Sequence, residues 1–242
     1  MKNIIFLVPF FNEEKNLKTL SDLIKKTSIN RNFTYKILFL DDCSTDNSFQ
    51  IISEFKSKNM NDDLIIYQNT QNLGHRKSLL RLYDLTKDYI DKADSIVTFD
   101  SDMKIEYNEF NDIFENDNSV ICKRKRFEEG LFRMLITLSA EFIIFLKTGK
   151  FWRDGNCPFR LYKKEDFLLI KSLIPENILT PNILSTIIFI KRKIPHDRKK
   201  INLIYDNKNS GVTWKGVNPF SKYINILNFS LKSSLEILKL KI

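Results

Sequence analysis

Histidine is nearly missing from this 242-residue chain, which carries only His75 and His196. A zinc site built on imidazole ligands is therefore a poor reading. Cysteine is scarce too: Cys43, Cys122 and Cys157 show no CxxC spacing, so they read as reduced thiols of a cytosolic protein. No secretory signal is apparent, because Met1-Lys2-Asn3 leads straight into a short strand-like run closed by Pro9. No apolar run suits a bilayer span. Leu131 to Leu146 is apolar nearly all round, but it is too short and is interrupted by Arg133, Thr137, Ser139 and Glu141. It reads as a buried or interfacial helix. Internal repeats and low-complexity linkers are absent, and no Gly- and basic-rich phosphate loop follows the first strand.

What is present is a hydrophobic content of 43% with 20 phenylalanines, enough for a sizeable core. The length fits one α/β domain with a small appendage. A net charge of +9 favours anionic partners (nucleotide phosphates, acidic lipid surfaces or nucleic acid) without choosing among them. Two basic clusters stand out, Lys123-Arg124-Lys125-Arg126 and Lys191-Arg192-Lys193. The first reads equally as a solvated face or a phosphate site.

Short apolar runs alternate with helical periodicity over residues 4–102. Ile4 to Pro9, Tyr35 to Leu40, Leu64 to Tyr67 and Ser95 to Phe99 read as strands. Between them, Leu17, Leu20, Leu23 and Ile24, then Phe49, Ile51, Ile52 and Phe55, then Leu79, Leu80, Leu82, Tyr83 and Leu85 mark helix faces. Ser44 or Thr45 reads as the cap of the second helix. This pattern predicts a mostly parallel sheet with helices on both faces.

Each strand exit carries polar groups to one edge: Asn12 and Glu13, Asp41 and Asp42, then Asp100 and Asp102. Open α/β sheets bind ligands at that edge. Asp and Ser are also ordinary turn residues. Yet acids gathered on one edge repel unless a cation or donor-rich ligand joins them. Asp100 and Asp102 are spaced so that both can turn toward one hard cation shared with substrate phosphates.

The second half is less regular. Val120 to Cys122 reads as a strand, Phe151 to Tyr162 as a polar loop entering a strand, and Pro175 to Ile190 as helical after Thr180-Pro181. Ile201 to Tyr205 reads as a strand and Tyr223 to Ile242 as an amphipathic helix. The domain reading is one unit over 1–218, in two halves 1–110 and 111–218, followed by the helix 219–242.

Four pieces in this order, Val8-Pro9-Phe10-Phe11-Asn12-Glu13-Glu14, Asp41-Asp42-Cys43-Ser44-Thr45-Asp46, Asn72-Leu73-Gly74-His75 and Asp100-Ser101-Asp102, resemble the family 2 glycosyltransferases, whose nucleotide-sugar half has the GT-A fold. A weaker match through Arg126, Arg133, Asp154 and Phe159-Arg160-Leu161-Tyr162 resembles the polyprenyl-phosphate sugar transferases. The resemblance implies that Pro9, Asn12, Glu13, Asp41, Asp42 and Ser101 line a nucleotide-sugar pocket. It places Mg²⁺ or Mn²⁺ on Asp100 and Asp102. His75 and Lys77 would meet phosphate at a helix start, or His75 would be a plain surface residue. Lys104 stands where the subgroup commonly has a metal-binding Gln, and Cys157-Pro158 where it often has Gly. Lys208, in Asn207-Lys208-Asn209-Ser210-Gly211, is the counterpart of a C-terminal basic turn, with His196-Asp197-Arg198 as the other alignment.

The implied reaction is inverting transfer from a UDP- or GDP-sugar to a polyprenyl phosphate or a cell-surface glycan, on the cytoplasmic side and with membrane-surface contact. With a hydroxyl acceptor Asp154 would be the general base. With a phosphate acceptor no base is needed, and Arg126, Arg133, Arg160 and Lys208 would hold the phosphate. Asp154 and Arg160 read alternatively as a structural ion pair. Two other functions compete: a nucleotidyltransferase of similar fold, and a non-enzymatic module binding anions or nucleic acid. The acids at the sheet edge argue against nucleic acid.

Overall fold

A computed structural model of the chain describes residues 1–58, 62–102, 105–124, 131–202 and 219–240; side chains of 131–136, 219–223 and 226–227 lie outside the description. The elements run β1 (Lys2–Phe10), α1 (Leu17–Arg31), β2 (Phe33–Asp41), α2 (Ser48–Lys58), β3 (Leu64–Gln68), α3 (His75–Leu85), β4 (Ser95–Thr98), α4 (Tyr107–Asp112), β5 (Ser119–Arg124), α5 (Leu131–Thr148), β6 (Arg160–Lys163), α6 (Lys164–Leu173), α7 (Pro181–Lys191), β7 (His196–Ile201) and α8 (Pro219–Lys239). Short 3-10 turns bracket β4.

The strands form one sheet in the order β3-β2-β1-β4-β6-β5-β7. β6 runs antiparallel to both β4 and β5, while the other pairings are parallel. Strand β1 shows why this sheet is covered on both sides. Ile4, Phe6, Val8 and Phe10 join a core with Leu17, Leu20 and Ile24 of α1 and Phe110 of α4. Ile5 and Leu7 join the opposite core with Leu79 and Leu82 of α3 and with α7. The period-2 alternation of a strand thus distributes one apolar run between two layers. Each fully buried side chain of this size is worth about 1.5–3 kcal/mol.

Several boundaries differ from the sequence expectation. α2 begins at Ser48, and Asp46 Oδ1 accepts from Ser48 N at 2.9 Å, so neither Ser44 nor Thr45 caps it. The last strand is His196–Ile201, upstream of the expected 201–205, of which 203–205 lie outside the described residues. α6 was not expected: its apolar face is brief, with Phe167 and Ile170 as its buried residues. The terminal helix packs on α5, and Leu179 N donates to Glu236 Oε2 at 2.8 Å. β5, β6 and β7 extend the sheet begun by β1–β4, so the two expected halves share one sheet. Among the described residues no helix is long and apolar enough to cross a membrane.

Candidate functional site

The register aligns Phe10 with Asp41, so the loops leaving β1 and β2 emerge together at the carboxyl edge. Polar side chains then staple them. Asn12 N donates to Ser44 Oγ at 3.0 Å, Thr45 N donates to Asn12 Oδ1 at 2.8 Å, and Glu13 N donates to Ser48 Oγ at 2.7 Å. Asn12 and Cys43 hold φ of 57° and 62°, a left-handed conformation that non-glycine residues keep only where the surroundings enforce it. Pro9 lies inside β1, buried, in register with Leu40.

The paired acids after β2 are used inwardly. Asp41 is fully buried; its carboxylate accepts from Ser44 N at 3.0 Å, Ser44 Oγ at 2.5 Å and Gln68 Nε2 at 2.8 Å. Asp42 Oδ1 accepts from Asn69 Nδ2 at 2.7 Å and Leu73 N at 2.8 Å, and Oδ2 accepts from Gly74 N at 2.7 Å. These bonds give the Asp42 carboxylate a structural use: it shapes the loop that opens α3. Gly74 is required there by its φ of 82°, not by space, since an added Cβ would meet nothing within 4 Å.

That loop sets His75 at the first position of α3, with Nε2 3.3 Å from Asp100 Oδ1. Lys77 is exposed on the same helix. Asp100 leaves β4 directly after Phe99, whose ring packs edge-on against Phe159 at 4.9 Å and against Phe110 at 5.8 Å. Thr98 Oγ1 also donates to Pro158 O at 2.6 Å, tying the metal-motif loop to the loop before β6. Ser101 is buried. Asp102 lies at the surface of a crowded mouth. The protein crowded around this exposed side chain still partly dehydrates its carboxyl, which raises its pKa first, with the neighbouring Asp100 carboxylate second, while His75 and Arg124 pull it back down.

The Asp100 charge thus disfavours ionisation of Asp102, and a hard divalent cation would relieve that. Among the described residues no group of three Asp, Glu, His or Cys completes a protein-only cage. The donor chemistry fits Mg²⁺ or Mn²⁺, which Asp100 and Asp102 would hold. Lys104 and Arg126 lie outside the described residues, as does Lys208; the side chain of Arg133 does too. His196-Asp197-Arg198 lies within β7, not in a turn.

The Asp154–Arg160 ion pair of the alternative reading is not formed; Asp154 pairs with Arg124. Arg124 Nε and Nη2 donate to the two carboxylate oxygens at 2.9 and 2.8 Å, and Arg124 N adds a third bond at 2.8 Å. Asp154 is 4% exposed, holds φ at 53°, and its N donates to Glu141 Oε1 at 3.2 Å. Arg160 is 0% exposed and donates to Cys157 O, Gly155 O, Ser185 Oγ and Thr186 Oγ1 at 2.7–3.2 Å. A phosphate-clamp role does not fit these surroundings: Arg160 holds up the 155–157 turn from below. Arg124 itself escaped the sequence reading because nothing in a run of four bases distinguishes the one at a strand end. Ser44 and Gln68 escaped it because their role exists only once the strands are in register.

The glycosyl transferase family 2 model matches residues 5–167. Among curated relatives, an undecaprenyl-phosphate 4-deoxy-4-formamido-L-arabinose transferase of Pectobacterium carotovorum is 23% identical over 168 residues, covering 68% of this chain and 50% of the relative. A human dolichyl-phosphate β-glucosyltransferase is 25% identical over 182 residues, covering 68% and 56%. The chain thus spans about half the length of the curated relatives it matches. Among solved structures, glucosyl-3-phosphoglycerate synthase from Mycobacterium tuberculosis, in complex with Mn²⁺ and UDP-glucose, superposes with a TM-score of 0.64 at 13% identity, covering 100% of this chain and 80% of that one. The matched segment takes in β1 through β6 and both acidic exits, and its fold is that of the GT-A glycosyltransferases; the chain belongs to glycosyl transferase family 2.

Proposed function

We propose that the chain transfers a sugar from a nucleoside-diphosphate donor to a lipid-linked phosphate of the polyprenyl type. The observation that carries this reading is the engagement of Asp154. Both its oxygens are held by Arg124 in a nearly solvent-free setting. A general base must reach the proton it removes, and this carboxylate is already occupied. An acceptor phosphate is anionic and asks for no base. The activities by which the curated relatives are named, on undecaprenyl and dolichyl phosphate, support the same choice.

In this reading the acceptor oxygen forms a bond to the anomeric carbon as that carbon's bond to the diphosphate breaks, with inversion and release of the nucleoside diphosphate. The stapled 12–13 and 44–46 loops give the nucleoside a rigid floor, set by Asp41 and Asp42. His75 and the amides opening α3 face the diphosphate side, where a helix start favours anions. Asp100 and Asp102 would hold the divalent cation, which neutralises charge on the leaving diphosphate. The Mn²⁺ and UDP-glucose in the mycobacterial synthase support that assignment. Family membership weighs against the nucleotidyltransferase and the non-enzymatic module.

The deciding experiment incubates the chain with labelled UDP- and GDP-sugars, Mn²⁺ and a short-chain polyprenyl phosphate. Labelled glycolipid that vanishes with EDTA is expected. Transfer to an oligosaccharide hydroxyl, with none to the phosphate, would replace the lipid reading by the glycan one.

A further inference from the structure

α5 and α8 lie side by side. Ser139 Oγ and Ser230 Oγ share a hydrogen bond of 2.9 Å, and Lys147 Nζ donates to the carbonyls of Leu238 and Leu240 at 2.8 and 2.9 Å. Ala140, Ile143 and Ile144 of α5 and Ile237 of α8 fill the inner side. The outer side is also apolar. α5 leaves Leu138, Phe142 and Leu146 exposed at successive i, i+4 positions, and exposed Phe151 stacks on Phe145 at 4.4 Å. α8 leaves Ile224, Leu231, Leu235 and Leu238 exposed. Single exposed apolar residues need no account, but rows on two packed helices mark an interaction surface.

The charges on these helices are sorted. Each has one acid, and both acids turn to the protein: Glu141 accepts from Asp154 N and Glu236 from Leu179 N. Among the described residues, the exposed charges on these helices and in the turn after α5 (Lys150, Arg153, Lys232 and Lys239) are basic. A second copy is a poor occupant, because an isologous contact would set these lysines near their own equivalents. Apolar rows with basic flanks instead match an anionic bilayer, whose headgroups attract lysine while the acyl boundary takes the apolar side chains. The face also adjoins the site. A crevice of about 70 Å³ between the helices is lined by Phe229, Ala140, Ile143 and by Gly155 of the loop next to Asp154. Thr180 on its wall has a buried hydroxyl with no hydrogen-bond partner among the described residues.

We propose that the outer face of α5 and α8 docks on an anionic bilayer surface and so presents the Asp154–Gly155 loop to a lipid-linked phosphate. The second half of that statement rests on the acceptor reading above; the docking itself does not.

The test is flotation with vesicles of phosphatidylcholine alone and with roughly one-third phosphatidylglycerol, for the full chain and for the double variant Phe142→Asp/Leu235→Asp. The chain should float with the anionic vesicles, less in high salt, and the variant's partitioning should fall at least about tenfold. UDP or GDP binding with Mn²⁺, followed by calorimetry, should be unchanged in the variant. Failure of the wild-type chain to bind anionic vesicles, or equal binding by the variant, overturns the proposal. So does a dimer in light scattering that the variant dissociates without any vesicle binding. Flotation as expected with no transfer to polyprenyl phosphate would sink the acceptor reading and leave the docking standing.

Discussion

Arg124 closes both carboxylate oxygens of Asp154 in a bidentate grip at 2.8–2.9 Å, joining the end of β5 to the loop before β6. Fork-to-fork pairing of this kind fixes orientation as well as charge. Removing one partner leaves the other charge buried and uncompensated, which costs roughly 3–5 kcal/mol. Arg124→Ala and Asp154→Asn should each lower the urea midpoint by an amount in that direction. The double variant should lose less than the sum of the singles. If Asp154→Asn abolished turnover at full stability, Asp154 would be a base after all.

Asp102→Ala should leave the melting temperature within roughly 2 °C, because an exposed side chain contributes little to packing. Calorimetric binding of UDP and GDP, each with Mn²⁺ and with EDTA, is the readout. The metal-dependent part should disappear in the variant. Wild-type affinity in its presence would remove Asp102 from the cation site.

Gly155 sits where α5, α7 and Trp152 converge. A Cβ there would land on Ile144 Cδ1, with Thr186 Cγ2 at 3.4 Å and Trp152 Cδ1 at 3.5 Å. Gly155→Ala should therefore cost about 1–3 kcal/mol by overpacking. Adding Ile144→Val removes the methyl in the way, so the double variant should recover part of the loss in thermal melts. No recovery would show that the backbone, not the methyl, is the obstacle.

Burial pushes the Cys157 thiol up to about 12, with Arg124 opposing. An unfolded thiol ionises near pH 8.5, so above that pH the folded chain keeps a proton that the unfolded chain has lost. Stability from this group is complete below pH 8.5 and declines as pH rises toward 12. Urea midpoints measured from pH 7 to pH 10 should fall at the alkaline end, and less steeply in Cys157→Ala. An identical slope in the variant would assign the decline to other groups.

How far the sequence carried the structure can be read from single residues. The run Ile4–Pro9 predicts a strand of a sheet with helices on both faces, since apolar residues stand at both parities, and the strand supplies both cores. It runs on through Phe10, which the sequence reading placed in the loop. Asp100 and Asp102 are legible because an apolar strand that ends in acids exposes them at one edge. The position of β7 was misplaced, since His196–Ile201 is largely charged and its burial pattern is that of an edge strand. α6 was missed because its buried face is two residues wide.

The sequence by itself determined the alternation of strands and helices, the edge at which the acids gather and the family to which they belong. The first two follow from periodicity and local spacing, which are properties of neighbours along the chain; the family follows from the resemblance of four motifs in their order. Only the tertiary structure decided that Asp154 pairs with Arg124 and that Arg160 faces inward. It also decided that Asp42 serves a backbone loop. Each of those is a contact across 25 residues or more, or a matter of which side of a loop is sealed. Hydrogen-bond capacity is written in the residue type, but its partner is chosen by register and packing.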